Sequence, residues 1–176
     1  MADHVLIAYF THSGNTGKIA KLIHEKVGGE LFEIQPVNPY PDSRNIVVEQ
    51  AKREIRQGYK PVLKSKVDAL GSYGTIFVGS PNWWSTIAPP VATFLSESDL
   101  SGKTVVPFCT HGGGGLGRAE KDIAALCFQS TVLNSFEIYG SGGGNVQSKV
   151  TQWLQSIGII LIKATLGNFL IGWCLF

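Results

Sequence analysis

The sequence predicts an α/β fold, a doubly wound five-stranded parallel sheet in the strand order 2-1-3-4-5 with helices on both faces. Three observations point there. Apolar runs of strand length alternate with helical patterns from end to end. The right-handed crossover rule leaves few ways to wind such a series. Three of the runs also end in loops of small or aromatic residues that this strand order would gather at one edge, where the winding reverses direction.

Each element has its own signal. "HVLIAYF" is the first strand, and "TGKIAKLIHEKVG" follows with apolar residues at helical spacing. "GELFEIQPV" is the second strand, separated by the turn signal "NPYPDS" from the polar helix "VVEQAKREIRQ". "YGTIFVGSP" is the third strand. The helix after it, "PPVATFLSES", carries its prolines where a first turn tolerates them. "KTVVPFCTH" and "GRAEKDIAALC" are the fourth strand and helix, and "TVLNSFEIYG" and "NVQSKVTQWLQS" the fifth pair. The short "GSGGGN" joins the last strand to its helix, and no repeat or interdomain linker is visible.

At 176 residues the chain suits one well-packed domain, and 44% hydrophobic content is ordinary for a globular protein. A formal charge of +2 is too small to imply nucleic acid and no Lys/Arg run supports it, so no nucleic-acid partner is expected; Lys60, Lys64 and Lys66 read as a solvated face. Cys109, Cys127 and Cys174 are odd in number and lack CxxC spacing or paired histidines. They argue against a disulfide framework and against a metal site. "MADHV" shows no basic segment followed by an apolar one, so the expectation is a cytoplasmic protein without a signal peptide.

The loops carry the chemistry. After the first strand, "THSGNT" offers backbone N–H groups and the positive end of a helix dipole, a nest that suits a terminal phosphate. Thr11, Ser13 and Thr16 add hydroxyl donors, and Gly14 lets the chain curl. The glycine spacing is not that of a Walker A loop, and the plainer reading is a helix cap rich in capping residues. After the third strand comes "SPNWW". Adjacent side chains on a strand face opposite ways, so Trp83 or Trp84 should border the crevice and wall a flat heteroaromatic ligand. The alternative packs both rings beneath helices. Pro81 and Asn82 would fix the loop and supply backbone and amide hydrogen bonds. After the fourth strand, "THGGGGLG" contains G-x-G-x-x-G at Gly112, Gly114 and Gly117, but a run of glycines satisfies many patterns. Bare backbone lying close to a ring edge is the preferred reading. His111 is a proton donor or a positional group, while His4 and His24 read as structural.

At these residues the chain resembles the flavodoxin-like family, and within it the single-domain branch with a double-tryptophan flavin loop. "THSGNT", "GSPNWWSTIAPPVATFL", "LSGKTVVPFCTHGGGGLGR" and the connecting "NPYPD" carry the resemblance, which runs from about Val5 to about Ile160. It implies a bound flavin mononucleotide (FMN). The phosphate would lie on Thr11, His12, Ser13, Gly14, Asn15 and Thr16. The ring would lie against Trp83 or Trp84, with Pro81, Asn82, Thr110, His111, Gly112, Gly113 and Gly114 around its polar edge. Family electron carriers are commonly acidic around the flavin. Here the three loops hold no Asp or Glu, which sets the chain apart from carriers that dock large basic partners.

The expected organisation is an FMN-binding domain over residues 1–160 and an apolar tail over 161–176. The tail, "IGIILIKATLGNFLIGWCLF" with its lead-in, reads in three ways. It is a hydrophobic arm packing on its own domain or on a second subunit of a homodimer, an altered reading frame, or, less favoured, a weak membrane anchor. The expected function is flavodoxin-type electron transfer or a small flavin oxidoreductase, working with a redox partner protein or a small-molecule acceptor. The alternatives are a nicotinamide-dependent quinone reductase and a non-redox binding protein on the same fold.

Overall fold

A computed structural model describes residues 4–161. The elements follow the predicted alternation: β1 (His4–Tyr9), α1 (Asn15–Val27), β2 (Glu30–Glu33), α2 (Arg44–Gln57), β3 (Tyr73–Trp83), β4 (Thr86–Ile87), α3 (Pro89–Glu97), β5 (Thr104–His111), α4 (Ala119–Leu126), β6 (Thr131–Val132), β7 (Phe136–Tyr139) and α5 (Val146–Ser156). Strands run in the order β2-β1-β3-β5, with β6 and β7 both parallel to β5 on its outer side. Counting β6 and β7 as the last strand, this is the order 2-1-3-4-5.

Two details differ from the sequence reading, each for a backbone reason. The fifth strand comes in two pieces. Thr131–Val132 pairs with Thr104–Val105 and Phe136–Tyr139 pairs with Phe108–His111, so the break faces Val106 and Pro107. Pro107 has no N–H to offer a ladder. The bulged residues find other partners: Ser135 N–H donates to Glu120 Oε2 at 3.0 Å, and Asn134 O accepts from Trp153 Nε1 at 3.0 Å. The third strand is longer than predicted. Instead of opening into a loop at Pro81 it continues to Trp83 and folds back, Asn82 facing Ile87 and Trp83 facing Thr86. The two turn residues, Trp84 (φ 52°) and Ser85 (φ 66°), are both left-handed, as a two-residue I′ hairpin turn requires.

Alternation along the strands divides the core into two layers. Leu6, Ala8, Ile76, Val78 and Val105 face Val91, Phe94 and Leu95 of α3 and Ile123 of α4. Ile7, Phe77, Val106 and Phe108 face Ile19 and Ile23 of α1 and Val150, Trp153 and Leu154 of α5. Pro89 and Pro90 open α3, as the sequence suggested. The carboxyl ends of β1, β3 and β5 thus reach the same edge, and the three unusual loops with them. Among the described residues no helix is long and apolar enough to cross a membrane. The three readings of the tail fall on residues 162–176 and lie outside the described residues.

Candidate functional site

The first loop is a preformed N-terminal nest. Gly14 sits at φ 82°, a left-handed conformation that swings the chain into α1. The amides of Asn15, Thr16 and Gly17 head the helix, and that first turn contains no acidic residue. Lys18 N–H is the first to fold back, onto Gly14 O at 3.1 Å. Ser13 and Gly14 are exposed, while Thr11 Oγ1 is buried and has no hydrogen-bond partner among the described residues. An unmatched buried hydroxyl costs about 1–3 kcal/mol, so its retention beside a free helix terminus fits a site awaiting an anionic acceptor. Thr16 is used otherwise. Its hydroxyl, 1% exposed, shares a 2.8 Å hydrogen bond with Thr110 Oγ1 and ties the first loop to the end of β5.

The two tryptophans part company at the hairpin. Trp83 packs edge-on against Phe10 (5.4 Å between centroids), Tyr40 (4.9 Å) and His12 (6.0 Å), and its orientation is held by all three rings. Tyr40 is held in turn by donating to Glu54 Oε2 at 2.6 Å. Burial first, and then this carboxylate, push the Tyr40 phenol far above its usual range, so it stays a neutral donor. His12 Nε2 donates to Pro41 O at 3.0 Å, which pins the first loop to the segment before α2. Trp84 turns the other way. Its Nε1 donates to Val48 O at 2.9 Å and Lys52 Nζ lies 4.6 Å from its ring centroid.

The third loop is docked by backbone. Asn82 Nδ2 donates to Gly115 O, and Arg118 N–H donates to Ser85 O at 2.6 Å. Gly117 makes that approach possible, because at φ 56° a Cβ would lie 2.6 Å from Ser85 O. Gly112, Gly113 and Gly114, just ahead of these anchors, are exposed. The Gly113 N–H donates to His111 Nδ1 at 3.1 Å, so this amide is satisfied internally rather than free as expected. His111 Nε2 lies 3.8 Å from Glu137 Oε2 on the neighbouring strand.

Together these segments enclose a cleft of about 590 Å³. The first loop supplies His12, Ser13 and Asn15, the hairpin Pro81, Asn82 and Trp83, and the third loop Thr110, His111 and Gly112. Of the other predicted residues, Thr11, Gly14 and Thr16 shape the nest behind the lining, and Gly113 and Gly114 are not among the residues that line the cleft. Trp84 lies outside the cleft because its left-handed backbone carries the ring onto α2. The sequence reading missed Asp42, Arg44 and Tyr139, which with Val47, Val48 and Gly140 complete the lining. The turn "NPYPDS" was legible as a turn, but not as a cover for the crevice. Tyr139 carried a usable signal: it ends a strand at the same sheet edge, on the ladder rung opposite His111.

A second hollow, about 520 Å³, lies at the amino ends of the strands, near Leu70 and Lys103. Its cations are occupied. Lys66 pairs with Glu97 at 3.2 Å, and Lys103 Nζ donates to Gly71 O at 3.3 Å and Tyr73 O at 2.7 Å. That hollow offers no unmatched group comparable to Thr11.

Comparison with known proteins shows the same fold. A family model described as Flavodoxin matches residues 4–157. A solved structure from Bacteroides uniformis, provisionally described as a flavoprotein, is 30% identical with a TM-score of 0.78, covering 88% of this chain and 99% of its own. A similarly described structure from Bacteroides eggerthii is 28% identical with a TM-score of 0.78, covering 88% of this chain and 97% of its own. A flavoprotein from Lactobacillus acidophilus, solved in complex with FMN, shares the fold at 24% identity and a TM-score of 0.69, covering 86% and 99%. No curated protein matches the chain.

Proposed function

The chain belongs to the flavodoxin family, and on that premise we propose that it holds FMN in the cleft and works as an electron-transfer protein of the paired-tryptophan branch. The observation that carries the reading is the meeting of three separate loops around one cleft, with a buried Thr11 hydroxyl that has no partner among the described residues behind the α1 terminus, and a fixed indole, Trp83, in the lining.

The residues fit the group. The Asn15, Thr16 and Gly17 amides, with the Thr11 and Ser13 hydroxyls, would hold the phosphate; the α1 dipole favours its charge. Trp83 would lie along the ring system, with its own position preset by Phe10 and Tyr40. Asn82, bonded to Gly115, would align the hairpin and the third loop on the ring's polar edge. Bound there, the flavin supplies one- and two-electron redox chemistry that no side chain of the protein can. The protein's part is to bind, orient and set the electrostatic surroundings. Lysine is missing from the cleft lining, whose basic side chains are Arg44, His12 and His111.

The test is spectroscopic. Purified protein titrated with FMN should quench flavin fluorescence at a one-to-one ratio and show flavin absorption after desalting. Protein that leaves FMN in the flow-through, while folded by circular dichroism, would refute the reading. Steady-state oxidation of NADH or NADPH with a quinone acceptor then distinguishes a carrier from a reductase. A carrier should support negligible turnover.

A further inference from the structure

The second tryptophan is unexplained by the cofactor site. Trp84 is 46% exposed, and it occupies a left-handed turn position that ordinarily goes to Asn or Gly. A bulky residue there carries backbone strain, and such strain collects at binding surfaces. Its ring is nevertheless fixed, by the Val48 hydrogen bond and by Lys52. The protein therefore spends conformational energy to present a rigid indole to solvent beside the cleft.

Its neighbours are basic. Arg44, Val48 and Lys52 fall at i, i+4 and i+8 on α2 and form one stripe beneath the hairpin tip. On the other side of the tip, Arg118 is tied by its backbone to Ser85. It borders an apolar depression of about 340 Å³ that also contains Tyr59 and Lys60. Among the described residues the only ion pairs are Lys66–Glu97 and His111–Glu137, so Arg44, Lys52, Lys60 and Arg118 are all unpaired. Nearby carboxylates are fewer: Asp42 on the cleft rim, Glu49 on α2, and Asp122, whose oxygen already accepts from the Thr86 hydroxyl.

We propose that this surface, from Arg44 across Trp84 to Arg118, docks an acidic electron-carrier protein at the mouth of the cleft. It has the composition of an interface centre: a preset tryptophan flanked by Arg and Lys, next to an apolar hollow. Unmatched positive charge selects an acidic face and speeds the encounter. The identity of the partner as an electron carrier rests on the functional reading above; the charge and the exposed indole do not.

The experiment uses the full-length, FMN-loaded protein and two probes, a small acidic [2Fe–2S] ferredoxin and a basic cytochrome c, with binding measured calorimetrically. The ferredoxin should bind, weakening about tenfold between about 20 mM and about 200 mM salt, and the cytochrome should not. Trp84→Ala should weaken ferredoxin binding about tenfold, and Lys52→Glu with Lys60→Glu by at least as much, while Lys52→Arg with Lys60→Arg should retain it. FMN fluorescence titration of the charge-reversed variant should match the parent. Absence of ferredoxin binding at low salt, indifference to all these substitutions, or a self-associated dimer that buries Trp84 would each overturn the proposal. Ferredoxin binding through this surface by a protein that cannot hold FMN would remove the cofactor reading and leave the docking surface standing.

Discussion

The first and third loops flank one cleft but are built on opposite plans. The first is backed by buried structure: Thr16, on the opening turn of α1, is hydrogen-bonded to Thr110 at the end of β5, and His12 is pinned to Pro41. The third is exposed glycine from Gly112 to Gly114, tied locally where Gly113 meets His111 and docked to the hairpin where Gly115 meets Asn82 and Arg118 meets Ser85. A phosphate dianion has fixed charge and gains most from donors already in place. A ring whose charge changes with its redox state is better served by backbone that can adjust. The two loops therefore should contribute differently, the first to affinity and the third to discrimination between redox states.

The largest effect should come from removing the ligand group that the first loop serves. Riboflavin, which lacks the phosphate, should bind at least about a hundredfold more weakly than FMN, equivalent to about 2.7 kcal/mol. Fluorescence titration with both ligands reads this directly. Equal affinity for the two would mean that the α1 terminus and the Thr11 hydroxyl are not a phosphate site.

Breaking the third loop's anchor should do something different. Gly117→Ala places a methyl group against Ser85 O at a positive φ, so the loop must lift from the hairpin, at a cost of about 2–3 kcal/mol in urea denaturation. FMN and riboflavin should weaken together, by about tenfold, with their ratio preserved. Thr16→Val strikes the first loop from behind. It strands the Thr110 hydroxyl in a buried position and should cost about 1–2 kcal/mol. Here the FMN-to-riboflavin ratio should fall, because the amides that face the phosphate share the helix turn with Thr16. A ratio that moves with Gly117→Ala and not with Thr16→Val would invert the comparison.

Much of this arrangement could be read before any coordinates. Apolar runs and helical spacing specified every major element, and strand order followed from where the unusual loops fell, because Thr11, Trp83 and Gly112 can meet only if β1, β3 and β5 are neighbours. What escaped were features that depend on conformation. Nothing in "SPNWW" announces that Trp84 and Ser85 adopt left-handed angles, since Trp-Ser is not a turn signature. The split of the last strand depends on Pro107 in a different strand. Asp42 fell inside the turn signal "NPYPDS" and Arg44 just after it, and it is the packing of Tyr40 on Trp83 and the His12–Pro41 hydrogen bond that bring that segment over the cleft.

The smallest effect concerns the floor beneath the third loop and tests how deep its looseness goes. Cys109 lies on β5 two residues before His111, 3% exposed, with its thiol pushed up to about 12 from the usual 9.0, mainly by burial and then by Glu137. Cys127, after α4, is as well covered, and burial raises its thiol to about 11. Both folded values exceed the unfolded one. The stability these thiols confer is therefore complete only well below pH 9.0 and is lost progressively as pH rises from about 8 to the folded values, because the unfolded chain ionises first. Between about pH 7.5 and pH 9 the two together should cost just under about 1 kcal/mol, measured by urea denaturation. If the third loop's freedom stops at His111, iodoacetamide at neutral pH should leave both cysteines unmodified in peptide maps of the native protein. Modification of Cys109 ahead of Cys127 would show that the glycine run loosens its own strand, and the division between a fixed loop and an adaptable one would have to be redrawn to include β5.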